Sequence, residues 1–189
     1  LEAVQRGLKT LTNGELGRYG HLDKRPGSDY LGTIKSTTDV RLDPFEFSAF
    51  TKFILEFGPN YIRFWSNDVQ VTVTATAWAT STAYTQGAIK SESGTNYYCV
   101  ESHTSGTFAT DLAAEKWHEL EGSILEIPSP YTESEIHEFQ TQIIRDFVYI
   151  THPNHPVKIL KRYADNDWRL EGSGFSGPYE EGELTDVFN

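Results

Sequence analysis

The chain has no methionine, and Cys99 is the only cysteine among its 189 residues. A single cysteine cannot form an internal disulfide, and no Cys/His spacing typical of a zinc site accompanies it. Cys99 follows Tyr98 in an apolar run, so we expect a small buried side chain. These features favour assembly in a reducing cytosol. The lack of an initiator methionine leads us to expect a fragment of a longer protein.

Long apolar runs are missing as well. None approaches the roughly 20 residues that cross a bilayer, and no basic stretch precedes an apolar one as in a signal peptide. We therefore expect no membrane insertion. The sequence also lacks the GxSxG, phosphate-loop and HExxH motifs that mark common catalytic sites. It predicts neither an enzyme nor a bound cofactor.

Basic residues are scarce: 16 Lys and Arg stand against 27 Asp and Glu, for a formal net charge of −11. A surface that binds nucleic acid without sequence preference neutralises phosphates with Lys and Arg, so the charge argues against one. An acidic wall facing DNA would repel it. Hydrophobic residues still make up 38% of the chain, enough to expect a folded domain with a core.

Alternation of apolar and polar side chains is the clearest pattern that is present. It runs through residues 52–65 on both sides of Gly58, Pro59 and Asn60, which predicts a β-hairpin. Apolar runs at 147–150 and 157–163 predict further strands. The sequence therefore predicts a mainly β fold of antiparallel sheets, arranged as a propeller-type sheet or a sandwich.

One short helix is expected after Thr132. This residue offers a hydroxyl cap, and Glu135 follows at the spacing of a capping box. Ile136, Phe139 and Ile143 would then form the buried stripe of the helix.

Composition shifts between residues 75 and 122 towards small hydroxyl-bearing residues and aromatics. We interpret 75–122 as a small inserted β module, and 1–74 with 123–189 as one discontinuous β-rich domain. Residues 1–32 have too few apolar side chains to stand alone. We expect this segment to lie on a neighbouring subunit or sheet.

Two sets of residues could suggest chemistry, and for each we favour a structural interpretation. His152 and His155 are the only close histidine pair, but the adjoining prolines indicate a rigid turn, so we expect no metal site. A glycosidase needs two carboxylates across a cleft, and nothing in the sequence shows the acidic pairs in one. These pairs are Glu133 with Glu135 and Glu180 with Glu181.

Four segments, in order and spacing, resemble the tail nozzle family of short-tailed bacteriophages, also called tail tubular protein B, and the related tail hub proteins. They are residues 12–27, which contain KRPG; 41–47 with 61–64; 130–132 and the acidic stretch that follows; and 147–168, which contain HPNHP. The resemblance covers nearly the whole chain outside 75–122, although members of that family are considerably longer.

The resemblance implies a structural role in the virion. In that family six copies form a ring at the end of the tail, around the channel through which the genome leaves. The ring contacts an adaptor above and fibres or spikes outside. The implied partners are therefore other copies of the chain, the adaptor, the fibres or spikes, and passing DNA that is not bound specifically.

The stretch 75–122 has a resemblance of its own, to the small aromatic-rich module of chitinases and phage tail proteins. Its pattern is a Trp, a Tyr-x-x-Gly, a Tyr-Tyr pair and a closing Trp. In carbohydrate-binding relatives, exposed rings stack on sugars. The candidate glycan-stacking residues, towards a host-surface polysaccharide, are Trp78, Tyr84, Tyr97, Tyr98 and Trp117. We favour core packing for these rings, because so small a module needs its aromatics inside. Tyr97 and Tyr98 would point to opposite faces of a strand, so one of them is the better exposed candidate.

Overall fold

The computed structural model describes residues 10–48 and 51–174. Within them the chain is mainly β, with several antiparallel sheets and one short helix, so the predicted fold class is confirmed. That helix has six residues, and none in the described part of the chain has the length and apolar character needed to cross a membrane. One compact unit ends at Leu31 and a second begins at Gly32.

The first unit contains a two-stranded hairpin of β1 (Gly14–Leu16) and β2 (Leu22–Lys24). Its large apolar side chains face solvent: Leu16 is 66% exposed and Tyr19 is 89% exposed. An isolated two-stranded hairpin is marginally stable at best in water. The expectation that this segment lies on a neighbour therefore stays a prediction.

The second unit begins with a sheet built around the predicted hairpin. Its strands are β3 (Arg41–Glu46), β4 (Lys52–Gly58), β5 (Tyr61–Ser66) and β6 (Val69–Gln70), joined later in the chain by β13 (Glu126–Pro128). The order is β13-β5-β4-β3, and β6 pairs with β5. Asn60 turns the hairpin with a φ of 63°, a left-handed conformation that Asn tolerates. The hairpin prediction is confirmed.

A second sheet follows near the end of the described chain. It is a meander of β14 (Gln140–Ile144), β15 (Phe147–His152), β16 (His155–Ala164) and β17 (Asp167–Gly172), with every neighbour antiparallel. The strands expected at 147–150 and 157–163 lie in β15 and β16.

These two sheets bury one common core, here called the sandwich core, as in a β-sandwich. Trp168 of β17 is fully buried at its centre. Its ring stacks on Phe64 at 4.6 Å and meets the edges of Phe45 and Phe53 at 5.1 and 5.2 Å. The facing sides of the two sheets therefore both contact the indole ring of Trp168.

Residues 75–122 carry six short strands and the helix. The strands are β7 (Thr76–Ala77), β8 (Ala83–Tyr84), β9 (Ile89–Glu92), β10 (Thr95–Cys99), β11 (His103–Thr104) and β12 (Trp117–Glu119). They form a sheet of order β12-β10-β9-β7, in which β7 and β9 are parallel, and a pair β11-β8. Thr72 bridges to Ile124 just outside this stretch, so the chain leaves and returns at neighbouring points.

The helix expected after Thr132 is wrong. One of the two hydrogen bonds of the capping box forms, from the Thr132 backbone N–H to Glu135 Oε2 at 2.9 Å. The Thr132 hydroxyl also donates to that oxygen, at 2.8 Å, whereas the Glu135 N–H donates to the Thr132 carbonyl. The segment nevertheless remains a series of turns, and Ile143 lies in β14. Phe139 packs on Phe57 at 4.9 Å, and the chain then pairs with β15. Ile143, which the predicted helix would include, is thus paired with β15 as part of a strand. Among the described residues the helix is α1 (Phe108–Ala113), which begins after Thr107, its N-cap.

Candidate functional site

The five candidate glycan-stacking rings are mostly inside the protein. Tyr84, Tyr97 and Trp117 are between 3 and 8% exposed and surround Cys99, forming what we call the insert core. Trp78 is only partly buried and packs against this core, where its ring meets the edge of Phe108 at 5.5 Å. Burial of these rings agrees with core packing.

The expectation that Tyr97 or Tyr98 is exposed is wrong. β10 is extended, so the two side chains do point to opposite faces. Each face is covered: Tyr97 packs in the insert core, whereas Tyr98 is 2% exposed and belongs to the sandwich core. The Tyr98 hydroxyl donates to the carbonyl of Trp168 at 3.0 Å. Of the five rings, Trp78 alone is partly exposed.

Cys99, His103 and Asp111 lie close together in the insert, as a nucleophile, a base and an orienting acid would. Cys99 Sγ is 3.9 Å from His103 Nδ1, and His103 Nε2 is 3.8 Å from Asp111 Oδ2. However, the thiol and His103 Nδ1 both face the carbonyl oxygen of Glu101. Burial raises the pKa of Cys99 to about 11. A thiol that stays protonated is a poor nucleophile, and the expectation of a small buried cysteine is confirmed.

A layer of charged groups covers the face of the first sheet opposite the sandwich core. Arg63 and Glu126 are 2% and 0% exposed, and Arg63 Nε donates to Glu126 Oε2 at 2.8 Å. Lys35 Nζ and His118 Nε2 reach the other oxygen of Glu126 at 2.6 and 2.8 Å. Arg63 also binds Glu121 at 2.6 Å. We call this set the ion layer.

Glu56 extends the ion layer along β4. Its Oε1 accepts from the Tyr61 hydroxyl at 2.8 Å, and its Oε2 accepts from Trp65 Nε1 at 2.7 Å. The backbone of Lys35 also donates to Glu56. A cleft of about 380 Å³ opens beside the layer, lined by residues that include Tyr61, His118 and Glu126.

The charged groups that line this cleft are engaged in ion pairs and hydrogen bonds with one another. Burial alone would raise the pKa of Glu126, but hydrogen bonds from His118, Lys35 and Arg63 outweigh it and lower the pKa to about 2. A carboxylate held ionised and fully hydrogen-bonded is neither a general acid nor a free base. Burial and the hydrogen bond to Glu56 raise the pKa of Tyr61.

A third cluster joins the turn after β13 to the turn between β15 and β16. Glu135 Oε1 lies 3.0 Å from His155 Nε2, and the imidazole rings of His152 and His155 are 4.9 Å apart. The Tyr131 ring meets the edge of the His155 ring at 5.3 Å. The sequence predicted the two histidines as a rigid turn and did not anticipate Glu135. Of the acidic pairs, Glu133 is exposed, and Glu180 and Glu181 lie outside the described residues.

Sequence reasoning also missed the ion layer. One signal was available, because Glu56 and Arg63 interrupt apolar strands, and the turn at 58–60 makes them cross-strand partners. Charged residues inside such strands are rarely buried unless they are paired. Glu126 and Lys35 could not be added, since only the folded chain brings them there.

No protein-family model matches the chain, and no curated protein is significantly similar to it in sequence.

Proposed function

We propose that this chain is a structural subunit of a bacteriophage tail nozzle and that it acts by packing, with no catalytic step. The observation that carries the proposal is the position of the segments that resemble that family. Residues 41–47 with 61–64 lie in β3 and β5 of the first sheet, residues 147–168 lie in β15, β16 and the start of β17 of the second sheet, and both sets contribute side chains to the sandwich core. The resemblance thus falls on the residues that build the scaffold.

The charged residues of those segments support the same role. Arg41 donates to Asp43 at 2.9 Å and to the carbonyl of Phe139 at 2.6 Å, and its guanidinium lies over the Phe139 ring. Arg63 is held inside the ion layer. These groups join parts of the fold to one another and leave little to act on a substrate.

Association with further copies is supported by the sheet edges. β3 ends the first sheet and β14 ends the second, so each has an unpaired edge among the described strands. Leu42 on β3 is 55% exposed and Ile144 on β14 is 52% exposed. Copies that pair along such edges would form the ring, and an acidic surplus on its inner wall would let DNA slide without sticking.

The test is the mass of the purified chain by light scattering, together with images of the assembled particle. We expect a ring, with six-fold symmetry, around a channel. Leu42→Lys should abolish it, whereas Leu112→Lys, at an exposed leucine of α1, should not. A monomer at all concentrations would contradict the nozzle role. A ring whose acidic side chains all face outwards would contradict the proposal that an acidic wall lets DNA slide.

The alternative, a glycan-binding module in 75–122, has one observation in its favour: Trp78 is partly exposed. Retention of the chain on host envelope polysaccharide that is lost in Trp78→Ala would support it. Equal retention of both proteins, or none, would remove it.

A further inference from the structure

The cluster of Glu135, His152 and His155 has the composition of a metal site. One carboxylate oxygen and one nitrogen from each imidazole lie within 4.8 Å of one another. Two His and one Glu, with a fourth position left to water, is a ligand set that proteins use for zinc. Glu138 adds a second carboxylate, whose Oε2 is 3.5 Å from His152 Nε2.

The carboxylate of Glu135 is oriented in advance. Thr132 donates to its Oε2 from both the backbone and the hydroxyl, and these bonds hold the other oxygen, Oε1, towards His155. Hydrogen bonds of this kind orient the ligands of metal sites and raise affinity. The turns at 132–135, which do not continue as a helix, thus present an acceptor oxygen to the two histidines.

Two buried polar atoms beside the cluster lack hydrogen-bond partners. One is Nε2 of His152, whose side chain has no exposed surface, and the other is the hydroxyl of Tyr131. A buried polar atom without a partner indicates a ligand, ion or water at that place. The cluster therefore offers a ligand set beside two buried polar atoms that make no hydrogen bond, one of which, His152 Nε2, faces the carboxylate of Glu138.

The hydrogen bond at Nδ1 of His152 restricts which metal ions could bind at its Nε2. Nδ1 accepts from the backbone N–H of Asn154 at 3.0 Å, so the neutral ring carries its proton on Nε2. An ion that binds Nε2 must displace this proton and the hydrogen bond at Nδ1. Ions that bind imidazole strongly can do so, whereas Ca²⁺ and Mg²⁺ prefer oxygen ligands.

We propose that Glu135, His152 and His155 bind one divalent transition-metal ion of the Zn²⁺ class, which pins the turn between β15 and β16 to the turns before β14. The site goes beyond the nozzle role and does not depend on it. The bound ion would link two turns of one subunit and stabilise their relative position.

The test is titration of the full chain with Co²⁺, followed by visible absorption, and competition with Zn²⁺. We expect one ion per chain and an absorption spectrum typical of nitrogen and oxygen ligands. Glu135→Gln and His155→Gln should each weaken binding at least about tenfold, and Thr132→Val should weaken it less, by removing the hydroxyl that orients Glu135. Both ligand positions are partly exposed, so these variants should fold, which circular dichroism checks.

His137→Gln is the matched control. His137 lies in the same series of turns and pairs with Asp39 at 2.9 Å, but it is exposed and not part of the cluster. The affinity of the His137→Gln variant for Co²⁺ should equal that of the original chain. The proposal is overturned if no stoichiometric Co²⁺ spectrum appears, or if His137→Gln weakens binding as much as His155→Gln.

Discussion

The sandwich core and the insert core are filled in different ways. The sandwich core takes alternate side chains from paired strands, and Trp168 donates its Nε1 to the carbonyl of Asp165 at 3.1 Å. The insert core is filled by aromatic rings around Cys99, and the buried Nε1 atoms of Trp78 and Trp117 have no hydrogen-bond partner. A small module with little core thus gains volume from large rings even where their polar atoms are unsatisfied.

The largest effect is expected in the sandwich core. Trp168→Ala removes the ring on which Phe45, Phe53 and Phe64 pack, and should lower the free energy of unfolding by about 3–5 kcal/mol. Urea denaturation measures the change. Tyr19→Ala, at a residue that is 89% exposed, should change it by less than about 0.5 kcal/mol. A loss as small as that of the control would show that the two sheets do not depend on a common centre.

The ion layer comes next. Glu126→Gln removes the buried partner charge of Arg63 and leaves it only the exposed carboxylate of Glu121, so it should cost about 3 kcal/mol. The control is Glu46→Gln, which removes an exposed pair with Lys52 and should cost less than about 1 kcal/mol. Equal losses in the two variants would mean that water reaches the layer freely.

The same variant gives a pH dependence. The pKa of Glu126 in the folded chain, about 2, lies below its ordinary value of 4.5. Its contribution to stability is therefore complete above about pH 4.5 and is lost as the pH falls towards 2. The difference in unfolding free energy between the original chain and Glu126→Gln should narrow over that range. A constant difference would contradict the lowered pKa.

A smaller effect is expected where the insert meets β17. Gly87 has a φ of +89°, and a Cβ there would lie 2.7 Å from Arg169 Nε. Gly87→Ala should therefore cost about 1–2 kcal/mol, from backbone strain and displacement of Arg169. Gly94 has a φ of +85° with open space around it, so Gly94→Ala measures the strain alone. Thermal or urea unfolding of both variants separates the two causes.

The smallest effect tests the unpartnered indoles directly. Trp117→Phe removes an Nε1 that has no partner, whereas Trp168→Phe breaks a hydrogen bond. Unfolding measurements should show Trp168→Phe to be more destabilising by about 1 kcal/mol. The reverse order would indicate that water satisfies Trp117 in the folded protein.

The sandwich core was open to prediction because its strands obey a two-residue period and short turns set their pairing. The hairpin around Asn60 and the strands β15 and β16 follow from those signals. The prediction for residues 132–143 was wrong, because Thr132, Glu135 and the apolar stripe favour a helix locally. In the folded chain residues 140–144 pair with β15 instead, and the position of that strand could not be read from the local sequence. Glu135 reached the histidines for the same reason, since no spacing rule links it to a turn about 20 residues away.

β10 contributes Tyr97 to one core and Tyr98 to the other, and the Tyr98 hydroxyl fastens the strand to β17. Loss of this strand would open both cores at once, so the stretch 75–122 should not melt as an independent module. Calorimetry of the chain should then record one cooperative transition for residues 32–174, and the excised insert should fail to fold.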